Sequence, residues 1–439
     1  MGKTMGIAKR LNWQNIFLFL FFVVFPFGQI IRLSFSFAGI NIPVLPIDII
    51  VGCGALYSLV MKFRKPEVFR QFIGFLFVAV FSFILSIFIF RVAALFYGLF
   101  YLLRLAAYSC FLIYVWNFAR KNEKNKKLLV DCLLGVSVVS AVFGWVQFFW
   151  FSDIKPFFAW GWDMHLFRLV GTFLDPTFLG LIIVFGLILS INRFIDTKKK
   201  SYIFVTIFLL ISLAFTYSRA SYLAFTAAVL VIIYFEKRFK KLILLVIGLA
   251  VLAFLLPTTK NHSIELFRSF SAIAKVENYE TTLRIFSKSP VFGVGYDNMC
   301  IAYQKYIGAQ DFSSHACSGS DSSLLFILAT MGVVGFIVFI SSLYKIAASM
   351  TSSPPVRRGF LLSRRITYQR SIHLLAKPVV FLNAVIKRTS SFYAGGTSSA
   401  YLLISSFLAL LVHSLFSNSL FYPWIMGYLI ILLSVSLKE

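Results

Sequence analysis

Apolar runs of about 18 to 25 residues recur along this chain, each long enough to carry a helix across roughly 30 Å of hydrocarbon. A segment with no water around it must satisfy its backbone internally, so it spans a membrane either as a helix or as part of a closed barrel. Barrel strands need only about ten residues, so runs of this length select the helix. Such runs lie near residues 15–33, 45–62, 72–90, 93–118, 128–151, 171–191, 201–216, 221–236, 242–256, 322–344, 398–416 and 420–436. The chain reads as an all-α integral membrane protein with about twelve transmembrane helices. Composition agrees, since 59% hydrophobic residues and a mean hydropathy of +0.87 exceed what a soluble core can absorb.

A formal net charge of +26 would point to nucleic acid in a soluble protein. Here the charge follows the membrane. Basic residues gather in alternate connections: Lys3, Lys9 and Arg10; Lys62 to Arg70; Arg120 to Lys127; Arg193 and Lys198 to Lys200; Lys237 to Lys241; and Lys345 to Arg388. The positive-inside rule places these on the cytoplasmic side together with both termini. The expected organisation is spans 1–9 in residues 1–257 and a large external, periplasmic-type loop at 258–321 between spans 9 and 10. Residues 322–439 then hold spans 10–12 and a long basic cytoplasmic loop, 346–396. Ser34 to Val44 is a short external connection on this reading. The first run follows a basic segment but carries Pro26 and lacks a small-x-small cleavage site, so it reads as a retained span. The lipid bilayer is the partner, and no nucleic acid is called for.

Polar residues inside such a chain mark pairing or function. Arg104 falls near mid-membrane and requires either a carboxylate partner or a wet cavity, whereas Asp48, behind Pro46, complements a helix dipole. Arg168 leads into a helix start interrupted by Gly171 and Pro176, with Asp175 beside the break. Arg219 is pinned at the membrane face by a short turn, Thr216 to Leu223. Lys275, Arg284 and Lys288 sit in the external loop, where cations run against the charge bias and hint at an anionic ligand. His413 reads as hydrogen-bonded inside the bundle. Cys300 and Cys317 share the external loop and are the candidates for a disulfide there. No HEXXH or CXXC motif and no metal-ligand spacing is present, and Gly293-x-Gly295 follows no strand, so neither a metal site nor a nucleotide fold is expected.

Three motifs then fall in order: Arg219-Ala-Ser-Tyr-Leu223 (R-x-x-x-L) on an external turn, P-x-x-G-x-G from Pro290 to Gly295, and Asp321 with Gly332 and Gly335 behind it. In order, spacing and sidedness the chain resembles the O-antigen ligase and polymerase family of bacterial membrane glycosyltransferases. The resemblance implies that a glycan moves from an undecaprenyl-pyrophosphate carrier to an acceptor, a sugar or lipid-core hydroxyl, at the outer face of the cytoplasmic (inner) membrane. It implies no metal and no other cofactor. The pyrophosphate leaving group falls to Arg219, with Arg168, Arg284 and Arg104 behind it. Asp321 stands where ligases of the family carry histidine, which favours a polymerase over a ligase. It takes the role of general base, for which burial would have to strengthen it, and His315 is the runner-up. The rival reading is a polytopic transporter binding an anion through Arg104, Arg168 and Arg219. A topology reporter fused near Lys275 is expected to read out as extracytoplasmic, and a cytoplasmic signal there would invert the assignment.

Overall fold

The computed structural model describes residues 13–37, 40–91, 95–160, 165–235, 237–256, 269–308, 319–351 and 399–437. Apolar runs become helices because each N–H and C=O then finds its partner within the same segment. In chain order these are α1 (Trp13–Val24), α2 (Pro46–Val60), α3 (Phe69–Leu85), α4 (Phe96–Ala119), α5 (Glu123–Trp150), α6 (Pro176–Thr197) and α7 (Ser201–Phe215). They continue with α8 (Arg219–Phe235), α9 (Ile243–Leu255), α10 (Ser269–Lys288), α11 (Met299–Ile307), α12 (Ser323–Thr351), α13 (Ser399–His413) and α14 (Pro423–Ser436). Among the described residues, five helices are long and apolar enough to cross a membrane, and shorter apolar helices of 10–17 residues accompany them. The protein is a multi-pass membrane protein of almost wholly helical build. The expected connection at 34–44 is instead an antiparallel hairpin, β1 (Leu33–Phe37) with β2 (Ile40–Val44), in which Leu33 pairs with Val44. The first helix accordingly ends earlier than the apolar run does.

Helix α6 is the axle of the bundle. It is apolar on every face and buried continuously from Phe178 to Ile191, packed by α5, α7, α8 and α13. Its interrupted start resolves into an ordinary cap: Asp175 Oδ1 accepts from the N–H groups of Thr177 (2.5 Å) and Phe178 (3.2 Å). Pro176 follows at the first position, where its missing N–H costs nothing.

Within the 258–321 segment, expected as a large loop, residues 293–303 are packed into the protein and not left in solvent. Gly293 to Tyr303 are buried, and their apolar side chains share a core with α3, the start of α4 and the first turns of α12. What admits them is a break in α12. Gly332 adopts φ 67°, ψ −169°, a region essentially reserved for glycine, and the break leaves backbone groups on both sides without helical partners. The P-x-x-G-x-G segment supplies those partners, about 10 Å along the helix from its start. The N–H groups of Val294 and Gly295 donate to the carbonyls of Ala329 and Thr330, both at 3.0 Å. Those of Val333 and Val334 donate to Pro290 (2.9 Å) and Val291 (3.2 Å). Ser82 of α3 closes the patch, its hydroxyl within 2.6 Å of the Phe292 carbonyl and 2.7 Å of that of Thr330. A Cβ on Gly332 would stand 2.2 Å from the Val291 carbonyl oxygen, and one on Gly293 2.3 Å from the Thr330 backbone.

Gly332→Ala should therefore cost about 3 kcal/mol or more, read as a lowered thermal midpoint of the purified protein. Gly74→Ala on α3, where an added Cβ meets nothing within 4 Å, should not lower it.

Candidate functional site

The turn that presents Arg219 is built by other residues. Ser218 caps α8, its hydroxyl accepting from the Ser221 N–H (3.3 Å), and Thr216 Oγ1 accepts from the Ser218 N–H (3.2 Å). Arg168, only 4% exposed, holds the turn from behind. Its Nε and Nη2 donate to the Thr216 carbonyl at 3.0 and 2.8 Å, and Nη2 also to that of Tyr217 at 3.0 Å. The planar guanidinium suits two adjacent carbonyls as it suits a carboxylate. Arg219 then occupies the first position of α8, partly exposed, at the end where the helix dipole is already positive. The N–H groups of a helix's first turn suit an anion placed there.

A chain of hydroxyls and one imidazole ties this turn to the rest of the site. Ser221 Oγ lies 2.8 Å from Ser218 Oγ and 3.2 Å from His413 Nε2, and His413 Nδ1 lies 2.6 Å from Ser419 Oγ. His413 is fully buried with both ring nitrogens engaged, as a histidine satisfied inside the bundle should be. Gly180 lets α6 approach, since a Cβ there would stand 2.4 Å from Ser221 Oγ.

From His413 the connection between α13 and α14 crosses to α12. The Ser414 carbonyl accepts from the Ser323 N–H (2.9 Å) and the Ser322 hydroxyl (3.2 Å), and Ser323 Oγ accepts from the Leu420 N–H (3.1 Å). Helix α10 clamps the same connection, with Lys275 Nζ donating to Phe416 O (2.7 Å) and the Tyr279 hydroxyl to Leu415 O (2.6 Å). Burial, reinforced by the Asp321 carboxylate, pushes Tyr279 up to about 12, so it stays a donor. Asp321 sits between these elements. Its N–H donates to Asn278 Oδ1 (2.8 Å), and its carboxylate stands 3.6 Å from Lys275 Nζ.

The N-termini of α6, α8, α12 and α14 thus meet at one end of the bundle beside Arg219 and Lys275. The C-termini of α7 and α13 end at the same place, so backbone groups of both signs gather around Arg219 and Lys275. Residues 203–340 match the family model described as O-antigen ligase. That match supports an O-antigen ligase/polymerase family assignment. The match supports glycosyl transfer of that type, by a membrane enzyme, in surface polysaccharide synthesis. No curated protein matches this chain in sequence.

The O-antigen ligase segment contains Arg219, Lys275, Asp321 and the P-x-x-G-x-G and Gly332 pair, while Arg168, Asp175 and the connection after His413 complete the site from outside it. Of the residues singled out in sequence, Arg219 and Asp321 are brought to this end. Asp321 lacks the burial required of it, its side chain being 37% exposed, and it does not cap α12; the Leu325 N–H reaches the Ser322 hydroxyl instead (3.5 Å). Arg168 supports the turn. Arg284 is exposed on α10, nine residues from Lys275 and so about half a turn around the helix from it. Arg104 is paired within the bundle, Nη2 at 2.6 Å and Nε at 3.0 Å from Asp48 Oδ2. In sequence Asp48 carried only a dipole role, because nothing local joins positions 56 residues apart. With Arg104 and Arg168 both engaged by protein groups, the three-arginine anion site of a transporter is not assembled. His315 and Cys317 lie outside the described residues, as does most of 346–396; Cys300 is disulfide-bonded. Lys275 was singled out only among the external-loop cations, and the 414–422 connection received no role from sequence, although Ser414, Ser417 and Ser419 beside His413 were a visible signal of a polar junction.

Arg168→Ala would strand two buried carbonyls and should lower stability by on the order of 3 kcal/mol, with a visibly reduced thermal midpoint. Arg219→Ala should lower it far less.

Proposed function

We propose that the protein transfers an undecaprenyl-pyrophosphate-linked glycan onto an acceptor sugar hydroxyl at the outer face of a bacterial inner membrane, as a polymerase in preference to a ligase. The observation that carries this reading is Arg219, held at the positive end of α8 inside the O-antigen ligase segment, where four helix N-termini meet. Twelve spans with both termini cytoplasmic would put this end outside, where the carrier-linked glycan is displayed.

In the reaction the acceptor oxygen forms a bond to the anomeric carbon as that carbon's bond to the pyrophosphate oxygen breaks. The pyrophosphate leaves on its lipid with one more negative charge, and the acceptor proton passes to a base. Arg219 and the N–H groups at the start of α8 stabilise the departing charge, and their worth lies in being oriented beforehand by Arg168 and Ser218. Asp321, not strengthened by burial, receives the proton as the bond to carbon forms and the acceptor oxygen becomes acidic. Its partial exposure lets an acceptor reach it, and Lys275 and the Asn278 amide fix its direction. Arg284, on the exposed side of α10, serves the carrier only if that helix turns towards the bilayer. The apolar walls of the bundle receive the polyprenyl tail.

Arg219→Ala, inserted in the membrane at wild-type level, should reduce surface glycan to single repeat units on a gel. A wild-type ladder would overturn the assignment. Accumulation of carrier-linked polymer in a deletion strain would make the enzyme a ligase.

A further inference from the structure

The connection between α13 and α14 is bonded to its surroundings almost residue by residue. The Ser414 carbonyl takes the Ser323 N–H and the Ser322 hydroxyl, those of Leu415 and Phe416 take Tyr279 and Lys275, and that of Ser417 takes the Ser323 hydroxyl at 3.3 Å. The Ser419 hydroxyl pairs with His413, and the Leu420 N–H donates to Ser323. Asn418, in the middle of this run, is the exception. Its Oδ1 is buried without a hydrogen-bond partner, and among the described residues nothing bonds its amide nitrogen either.

The amide lies at the edge of the candidate site. A Cβ on Gly319, two residues before Asp321, would stand 3.3 Å from Asn418 Nδ2 and 3.0 Å from the Phe326 ring. Gly319 has φ 123°, a conformation open to glycine, so the chain leading into Asp321 passes beside the Asn418 amide with no side chain between them. On the other side, the Phe416 carbonyl holds Lys275, whose Nζ stands 3.6 Å from the Asp321 carboxylate. The stretch from Phe416 to Asn418 thus borders Asp321 through both neighbours. Asp321 is 37% exposed and Asn418 is partly exposed, so a molecule that reaches the carboxylate meets the amide as well.

An amide with neither end bonded is a cost to the folded protein unless something else pairs it. No hydrogen bond holds its orientation, and the terminal torsion of asparagine is broad, so it turns readily to offer oxygen or nitrogen at the opening. Being uncharged, it suits a partner that donates and accepts at once, which on a glycan is a hydroxyl.

We propose that Asn418 is an acceptor-binding residue, whose amide hydrogen-bonds a hydroxyl of the acceptor sugar neighbouring the one that gives its proton to Asp321. It thereby selects which hydroxyl Asp321 meets. This rests on the glycosyl-transfer reading above and concerns its acceptor side. Asn418 takes no part in bond breaking and does not touch the pyrophosphate.

The test uses the full chain in lipid nanodiscs. The donor is the carrier-linked glycan extracted from a deletion strain, and the acceptor is the oligosaccharide released from it by mild acid and tagged at its reducing end, so that only tagged product is counted. Asn418→Ala should raise the acceptor KM about tenfold, as the loss of one or two hydrogen bonds between neutral groups does, with kcat little changed. The inhibition constant of inorganic pyrophosphate should not move. The thermal midpoint should equal or exceed the wild type's, because the substitution removes an unpaired buried oxygen and no hydrogen bond of the protein. An unchanged acceptor KM, an equal change in pyrophosphate inhibition, or a lowered midpoint each overturn the role of Asn418, while transfer by the wild type leaves the reaction itself standing. No tagged product from the wild type overturns the polymerase reading and the Asn418 role with it.

Discussion

A helix interrupted away from water leaves amides and carbonyls that nothing but protein can satisfy, and the whole polar half of this molecule is arranged around one such interruption. At Gly332, α12 opens, and four backbone hydrogen bonds from the Pro290 to Gly295 segment fill the gap. Because the partners are backbone groups, neither side tolerates a side chain in between, which explains glycine at 293 and 332 together. The consequence reaches well beyond the break. The segment's apolar neighbours, Val294, Tyr296, Met299 and Ala302, are drawn into a second core.

The second dependency is the turn that presents Arg219. The fold fixes that turn through Arg168 and the start of α8 through Ser218, Ser221 and His413. The connection from Ser414 to Tyr422 packs beside it, bonded to α12 and α10 and stacked through Tyr422 on Phe178 at 3.8 Å.

Much of this was legible in the chain. The apolar runs dictated helices, which follow from covalent neighbours and the period of a helix, and Asp175-Pro176 marked a helix start that the structure turns into a cap. His413 read as a satisfied interior histidine for the same reason that most buried histidines are. The residue order R-x-x-x-L, P-x-x-G-x-G and Asp321 with its glycines carried the family, and the matched segment contains all three. Arg168 was legible as important but not in its role, since a guanidinium fits carbonyls and phosphates alike.

The sequence by itself determined what needs only neighbours in the chain: which segments avoid water, where helices begin, and which residues are too polar to be idle there. Tertiary structure alone decided what those residues face. Asp48 meets Arg104 across 56 positions, and Ser221 meets His413 across 192. The segment from Pro290 to Gly295 packs against α12 because the break at Gly332 has backbone groups for it to pair. Hydrogen bonding and charge act over a few ångströms whatever the sequence separation, so such pairings exist only once the helices have packed.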